Sequence, residues 1–376
     1  MGPGAVTQSP AKDRVGTLDG IRGVAILMVV AGHSVENYSP MGPGLRRFLT
    51  VFVNPNGGVR LFFVLSGYLI TQLLLQEFAR TGSIRLGRFY ARRALRIFPA
   101  FYAYLIAVAV VSLFYPGGGV NVRTWLAAAT FTWNYAHDWI ALPQEGVWRL
   151  GHLWTLAVEQ QFYLVWPAVL LWAKPRRALV VAIALAIWCP AARVGTYYLF
   201  PPERGYITMM FHTGADSIMI GCIAALVLQS DSARDRLRSW GSTGSAAAAA
   251  WLLLVSPLAG DRLHGFPVAV GYTLDGLAAA WIISSAHLAP GPFAHRFLGR
   301  GLLPRLGLIS YSLYLWQQMF LSPSGAMARG HVVLPLLAAV VAACLSSRLI
   351  EMPVLRFRGT RPKLTAPTGI HEAKLT

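Results

Sequence analysis

Charged side chains are scarce in this 376-residue chain: only 13% of it is Asp, Glu, Lys or Arg, while 55% is apolar. A soluble protein of this length covers its core with a charged surface, so the composition and the mean hydropathy of +0.50 exclude that class. Apolar runs of roughly 18–22 residues recur along the chain, and each can cross ~30 Å of hydrocarbon. The runs are continuous rather than alternating, which is typical of helices. We therefore predict an all-α, polytopic integral membrane protein.

Cysteine and lysine are also rare. The three cysteines, Cys189, Cys222 and Cys344, lie in apolar runs without a close partner, which argues against a disulfide framework and against a metal site. Lysine occurs only four times, so arginine supplies most of the net charge of +18. The basic residues cluster in short segments between apolar runs, as the positive-inside rule expects. We therefore attribute the charge to membrane topology and predict no nucleic-acid partner.

The apolar runs predict about ten transmembrane helices. Their approximate ranges are 19–37, 58–77, 97–115, 152–172, 178–200, 206–229, 243–259, 266–288, 304–322 and 331–350. Placing the polar tails 1–17 and 356–376 in the cytoplasm puts most basic segments there too, including 80–96 and 174–177. The stretch 18–355 is then one membrane-embedded domain of a multi-pass cell-membrane protein with both termini cytoplasmic.

One further apolar segment, 124–142, is long enough to suggest an eleventh crossing. It contains Asn134, His137 and Asp138, which are costly in lipid, and a crossing here would move three basic loops to the outer side. We therefore predict that this segment is re-entrant or interfacial on the outer side.

The first predicted helix carries two ionisable residues, Arg22 and His33, in the stretch IRGVAILMVVAGHS. Eleven residues of α-helix turn about 1100°, within ~20° of three full turns, and rise ~16 Å. The two side chains therefore share one face of the helix. Arg22 could simply reach the headgroups and His33 the outer interface. Ionisable groups inside membrane spans more often mark a site, and we favour that interpretation.

A second pair, His152 and Glu159, lies seven residues apart in GHLWTLAVEQQFYLVWP, again on one helix face. Glu159 is expected ~10 Å below the outer surface among aromatic residues. A carboxylate there must pair, stay protonated or serve a function, and a structural ion pair with an arginine is the simplest alternative.

A third cluster consists of arginines in the segment 80–96, which contains no acidic residue. Its members are Arg85, Arg88, Arg92, Arg93 and Arg96. On a helix, positions 85, 88, 92 and 96 fall on one face. Guanidinium groups match phosphate oxygens in bidentate fashion, so the cluster predicts a phosphate site. It could also serve as a topological anchor beside acidic lipid headgroups.

Three other features are weaker. Ser66 and Gly67 lie mid-span, where small residues usually indicate close helix packing. Asp216 and Asp275 lie inside spans and could each pair with an arginine, and Glu351 ends the last predicted helix.

Seven stretches, taken in order, resemble the acyltransferase 3 family of integral membrane O-acyltransferases. They are LDGIRGVAILMVVAGH (18–33), GVRLFFVLSGYLIT (58–71), FYARRALRIFPAFY (89–102), HLWTLAVEQQFYLVWP (152–167), ADSIMIG (215–221), SYSLYLWQ (310–317) and IEMP (350–353). The resemblance covers about 17–358 and implies acyl transfer, commonly of acetyl, from cytoplasmic acyl-coenzyme A to hydroxyls of carbohydrates or sugar-bearing small molecules. Acyl-CoA would be a cosubstrate, with no permanently bound cofactor.

The resemblance also implies roles for individual residues. His33 would be the catalytic base, with Arg22 beside it, and Arg92, Arg93 and Arg96 match the motif implicated in binding coenzyme A. His152 and Glu159 match the family's fourth motif. The late motif often reads Leu-Trp-His, but here the third residue is Gln317, which cannot titrate.

Elementary chemistry agrees with this assignment. A hydroxyl attacks a thioester poorly unless a positioned base takes its proton, and a neutral imidazole at His33 suits that task. A neighbouring Arg22 would discourage protonation of the imidazole. The oxyanion on the thioester carbon needs a donor, which could be Arg22 or a group that the sequence does not identify.

Two acceptors stay open: a cell-envelope or secreted polysaccharide, and a glycosylated secondary metabolite such as a macrolide. The rival function is a polytopic transporter of a polar or anionic metabolite, but no inverted repeat is visible in the sequence.

Overall fold

The computed structural model describes residues 10–37, 42–114, 122–136, 144–321 and 333–357, and within these ranges every regular element is helical. The α-helices are α1 (Pro10–Asn37), α2 (Pro43–Phe52), α3 (Pro55–Thr81), α4 (Leu86–Leu113), α5 (Val122–Ala129), α6 (Gln144–Gly151), α7 (Leu153–Leu199), α8 (Phe211–Gly214), α9 (Asp216–Val227), α10 (Asp231–Ala250), α11 (Ser256–Arg262), α12 (Tyr272–Leu288), α13 (Pro292–Leu298), α14 (Leu302–Leu308), α15 (Ser310–Phe320), α16 (Val333–Ser346) and α17 (Met352–Phe357). Short π-helical stretches precede α11, α12 and α17. The predicted all-α class is confirmed.

Seven helical stretches in the described residues are long and apolar enough to cross a membrane. They are 16–35, 44–81, 86–113, 148–199, 231–262, 267–288 and 333–356. The stretch 148–199 is long enough to cross twice, and two shorter helical regions, α8 with α9 and α14 with α15, lie where the sequence predicts further spans. The arrangement is consistent with the predicted count of about ten.

The double crossing of α7 follows from a sharp bend at Lys174. This residue has a φ of 60° and a ψ of 164°, and the proline after it cannot donate a helical hydrogen bond. Beyond the bend the chain returns across the bundle, because Arg193 donates to the carbonyl of Val268 and to the hydroxyl of Thr273 near the start of α12. We call the end of the bundle where loop 82–85 joins α3 to α4 the inner end, and the opposite end the outer end.

Residues 122–136 enter the bundle from the outer end and stop about halfway. α5 has only eight residues and rises about 12 Å. Phe131 then adopts a φ of 56° and stacks on Phe101 in the middle of α4, with ring centroids 4.3 Å apart. Asn134 exchanges two hydrogen bonds with the side chain of Gln161 in α7, at 2.8 and 3.1 Å. The segment satisfies its polar groups against helices without crossing, which fits the predicted re-entrant path.

Small residues bring α3 and α9 into backbone contact. A Cβ at Gly67 would collide with the carbonyl oxygen of Ile218, and one at Gly221 would collide with that of Val64. Close approach of this kind is the usual basis of helix association in membranes, where apolar side chains gain little by leaving lipid. The interpretation of Gly67 as a packing residue is confirmed.

A buried ion pair links α7 and α9 in the outer half. Arg193 and Asp216 are both fully buried, and their closest nitrogen–oxygen distance is 3.0 Å. The same guanidinium also donates to the carbonyl of Thr213 at 2.7 Å, and the carboxylate accepts from Thr273 at 2.6 Å. Arg60 lies beside this group, stacked over the ring of Tyr272 at 4.2 Å. The prediction that Asp216 pairs with an arginine is confirmed.

Candidate active site

Three helices direct one face each toward a common path through the bundle. From inner to outer end, the residues are Arg22 and His33 on α1, then Tyr163, Glu159, Thr155 and His152 along and just before α7, then Ser310, Tyr314 and Gln317 on α15. The spacings within each set are multiples of about three or four residues, which keep side chains on one helix face. Residues far apart in sequence therefore form one row of side chains, which we call the path; the cavity lined by its inner members does not include His33, His152 or Gln317.

The inner part of this path is a cavity of about 110 Å³. Its lining includes three guanidinium groups, from Arg22, Arg93 and Arg96, and one carboxylate, from Glu159. Arg22 also forms an ion pair with Asp19, one turn earlier on α1, at 2.9 Å. The residues that line the cavity thus carry a net positive charge, which favours an anionic ligand.

Glu159 contacts hydroxyl groups within this cavity. Ser66 of α3 donates a hydrogen bond to its carboxylate at 2.6 Å, and Tyr163 donates to the same serine at 3.2 Å. Arg93 lies over the ring of Tyr163, 5.1 Å from the ring centroid. Glu159 therefore lies among cationic and hydroxyl groups at the cavity wall, with the Ser66 hydroxyl as its hydrogen-bond partner.

The other predicted arginines are placed differently. Arg92 approaches Glu77 at 3.6 Å, and the same carboxylate accepts the backbone N–H of Arg85 at 3.3 Å. Arg85 and Arg88 are exposed at the inner end of α4. Of the four positions predicted to share one face, only Arg96 lines the cavity, and phosphate binding by the cluster stays a prediction. Position 93 is turned by about 100° from 92, and this rotation brings Arg93 rather than Arg92 to the cavity.

The outer part of the path surrounds His33. Its Nδ1 lies 3.2 Å from the Oε1 atom of Gln317, and its ring meets that of Trp148 edge-on at 5.4 Å between centroids. An amide oxygen can only accept a hydrogen bond, so Nδ1 carries a proton in this contact and Nε2 is the basic nitrogen. His33 is half-buried, whereas Gln317 is completely buried.

His152 lies behind this pair and is buried. Its backbone N–H donates to the Oε1 of Gln318 at 3.3 Å, so consecutive glutamines of α15 contact the two histidines. Its ring packs against those of Tyr104 and Tyr314, both at 5.4 Å between centroids. Neither ring nitrogen has a hydrogen-bond partner among the described residues. His152 thus lies with the outer group, as its position in the sequence predicts.

A hydroxyl pair separates the inner cavity from the outer group. Thr155 and Tyr314 lie 2.6 Å apart, and Tyr314 also donates to the carbonyl of His152 at 3.1 Å. Arg22 lies on the inner side of this pair and lines the cavity, about 16 Å along α1 from His33. The structure thus places Arg22 away from His33, because one helix face can hold both residues without bringing them together; a catalytic role for Arg22 stays a prediction.

The weaker sequence features have structural partners. Trp251 donates to Asp275 at 2.9 Å, and Ser312 donates to Glu351. Asp275 therefore accepts a hydrogen bond from an indole, whereas the sequence had suggested an arginine as a possible partner. His137 and Asp138, predicted at the outer side, lie outside the described residues.

Sequence reasoning missed several residues of the path, including Ser66 as a polar group, Tyr163, Tyr314 and Trp148. Tyr163 follows Glu159 by four residues and Tyr314 precedes Gln317 by three, so helical spacing from a recognised residue could have found both. Ser66 and Trp148 carry no such signal, because only the tertiary contacts bring them to the path.

Known proteins match this chain along most of its length. The sequence model described as an acyltransferase domain matches residues 15–352. The peptidoglycan O-acetyltransferase OatA of Listeria monocytogenes is 29% identical over 93% of this chain and 58% of its own length. The O-acetyltransferase OatA of Staphylococcus aureus is 27% identical over 90% of this chain and 56% of its own length. The chain thus spans a little more than half of these relatives, and no solved structure matches it.

The matched region contains every residue of the path, from the arginines of the inner cavity to His33 and Gln317. The resemblance carried by the seven motifs is confirmed, and this membrane-embedded chain belongs to the acyltransferase domain family.

Proposed function

We propose that the protein transfers an acyl group, most simply acetyl, from acyl-CoA to a hydroxyl of a carbohydrate. The observation that supports this most strongly is the division of one path into an inner cavity with three arginines and an outer group around His33. A phosphate-bearing donor needs the first feature, and a hydroxyl acceptor needs a base such as the second. A transporter requires neither a fixed imidazole nor this separation.

Donor binding would begin at the inner end. Arg22, Arg93 and Arg96 surround the cavity and would bind the phosphates of coenzyme A through charge-assisted, bidentate hydrogen bonds. With the inner end facing the cytoplasm, as the basic loops favour, the donor would enter from the compartment that contains acyl-CoA. Of the five arginines predicted for this role, we retain Arg93 and Arg96 as direct contacts. Arg92 would act indirectly, by joining α4 to α3 through Glu77.

The distance between Arg22 and His33 along α1 would then match the length of the bound donor. About 16 Å of helix lies between them, and the extended arm of coenzyme A would cover this interval between its phosphates and its sulfur. The thioester would reach His33 by passing between Thr155 and Tyr314, whose hydroxyl groups contact each other in this structure. This geometry gives a reason for eleven residues between the two ionisable groups of α1.

Chemistry would take place at His33. Nε2 accepts the proton of the acceptor hydroxyl while its oxygen bonds to the thioester carbon, and the carbon–sulfur bond breaks as the tetrahedral intermediate collapses. The coenzyme A thiolate leaves and takes the proton back from His33, so the base is regenerated. The Nδ1 contact with Gln317 keeps the ring oriented for both transfers. Glu159 and His152 stay predicted site residues, Glu159 at the donor cavity and His152 behind the base.

The named relatives favour a glycan acceptor. One of them is a peptidoglycan O-acetyltransferase, and sugar hydroxyls of the cell wall are an acceptor that an outer-facing His33 could reach. A glycosylated small molecule such as a macrolide is the other predicted acceptor and belongs in the same assay.

The experiment uses the full chain in lipid nanodiscs with acetyl-CoA labelled in the acetyl group, offered peptidoglycan fragments and glycosylated small molecules in separate reactions. We expect labelled, ester-linked product and free coenzyme A only when an acceptor is present. His33→Ala should lower turnover about 10²–10⁴-fold while donor binding and the melting temperature stay unchanged. Turnover above a tenth of wild type in this variant would contradict the base assignment. Acceptor uptake into vesicles without coenzyme A release would instead indicate a transporter.

A further inference from the structure

The amide of Gln317 uses only one of its two ends in this structure. Its oxygen contacts Nδ1 of His33 at 3.2 Å, but its Nε2 group has no hydrogen-bond partner among the described residues. The side chain is completely buried, so water does not replace the missing partner at a protein surface. A buried N–H group without a partner costs about 1–3 kcal/mol, and such groups call for an explanation.

The oxygen end of the amide determines the state of the histidine. Because Oε1 only accepts hydrogen bonds, it selects the tautomer of His33 with the proton on Nδ1. Lone-pair density for general base catalysis then lies on Nε2. A glutamine cannot change its charge with pH, so this orientation is the same across the pH range in which the imidazole titrates.

The nitrogen end of the amide is next to His33, the proposed base, and donates to no group in the described part of the chain. Two further donors of this outer group, the indole nitrogens of Trp148 and Trp316, are also buried without a partner among the described residues. Trp148 contacts the ring of His33 directly, at 5.4 Å between centroids. Two of these donors, on Gln317 and Trp148, belong to residues that contact His33, whereas Trp316 packs on Tyr104. The surroundings of the base thus offer donors to a group that accepts hydrogen bonds.

We propose that Gln317 has two roles: it positions His33 through Oε1, and it donates from Nε2 to the carbonyl oxygen of the bound thioester. This inference rests on the proposed function, because it needs His33 as the base. As the acceptor oxygen attacks, negative charge develops on that carbonyl oxygen, and a donor fixed in advance stabilises it at little reorganisation cost. Arg22 cannot take this role, since it lies in the inner cavity on the other side of Thr155 and Tyr314.

The test compares Gln317→Met and Gln317→Glu in the full chain in nanodiscs. Methionine keeps the size of the side chain but removes both hydrogen bonds, and glutamate keeps an oxygen for Nδ1 but removes the N–H donor. We expect each to lower kcat about 10²–10³-fold with the donor KM changed less than twofold. In Gln317→Glu, the acid limb of the residual activity should also move about one pH unit or more upward, because a carboxylate beside the imidazole favours its protonated form.

Gln72→Met is the matched control, an amide-to-thioether exchange in α3 away from the path, and should leave kcat unchanged. If Gln317→Met keeps more than a tenth of the wild-type kcat at an unchanged melting temperature, the inference is wrong. Should that variant fail to fold, Gln317→Glu decides, and an unshifted acid limb overturns the positioning role. An inactive His33→Ala together with an active Gln317→Met rejects this inference alone, whereas an active His33→Ala rejects the proposed function.

Discussion

Two groups of charged residues in this protein differ in what surrounds them. Arg193 and Asp216 in the outer half are completely buried. Besides Asp216, the guanidinium bonds Val268, Thr213 and Thr273, and Thr273 also donates to the carboxylate oxygen that pairs with Arg193. By contrast, the guanidinium groups of the inner cavity line open space. Charges in a membrane protein can thus either join helices or receive a ligand, and the difference lies in whether neighbouring groups already satisfy them.

The two groups also lie toward opposite ends of the bundle. Labelling from one side of the membrane tests this placement and should give the largest effect, because each end is either labelled or not. We replace the three native cysteines and introduce Ser83→Cys, at the inner end near the cavity, or Leu263→Cys, at the outer end near the Arg193 group; both positions are exposed. An impermeant thiol reagent added to intact cells should label only position 263. Labelling of 83 alone would reverse the proposed orientation and place donor entry outside.

The next prediction exchanges one buried carboxylate for an amide in each group. Glu159→Gln should lower acyl transfer about 10²-fold or more while the melting temperature stays near wild type, because this carboxylate lines a cavity and bonds a single hydroxyl. Asp216→Asn should instead destabilise the fold by about 3–5 kcal/mol, because it leaves the charge of Arg193 buried without its counter-ion. Turnover and thermal unfolding, measured on both variants, give the readout. An Asp216→Asn variant that is as stable as wild type but inactive would contradict the proposed difference between the two groups.

The smallest expected effect concerns the arginines of α4. Replacing Arg93 and Arg96 together by Gln should raise the acyl-CoA KM at least tenfold, with the acceptor KM unchanged, because two charge-assisted contacts to phosphate are lost. Arg88→Gln, in the same helix but exposed, should change the donor KM less than twofold. Equal effects of the two changes would mean that the whole arginine segment acts through its general charge. The wild-type donor KM should also rise with salt, because screening weakens contacts at the open cavity.

The sequence predicted the fold class and the placement of most site residues along the chain. Long apolar runs require helices in lipid. A period of 3.6 residues fixes which side chains share a helix face, so the sequence alone could place Arg22 and His33 on one face and His152 and Glu159 on another. The prediction of a re-entrant or interfacial segment at 124–142 rested on the cost of its polar groups in lipid and on the basic loops. In the described part, 122–136, Asn134 shows how one polar group is satisfied.

Contacts between helices were not available from the sequence. Closeness along the chain placed Arg92 and Arg93 in one arginine cluster, but the packing of α4 against α3 and α7 sends Arg92 to Glu77 and Arg93 to the cavity. Likewise, Arg22 and His33 share one helix face, which suggested that they act together. In the structure, Tyr314 of α15 lies between the inner cavity that Arg22 lines and the outer group around His33.

What the sequence by itself determined is therefore the membrane-spanning helical architecture, because hydrophobicity and helical spacing are local properties of the chain. Its motifs also indicated the family, and the resemblance to that family implied His33 as the candidate base. Only the tertiary structure decided which charges are satisfied and which face open space, and that Gln317, at a position 284 residues from His33 along the chain, contacts it. Such pairings depend on how helices distant in sequence meet.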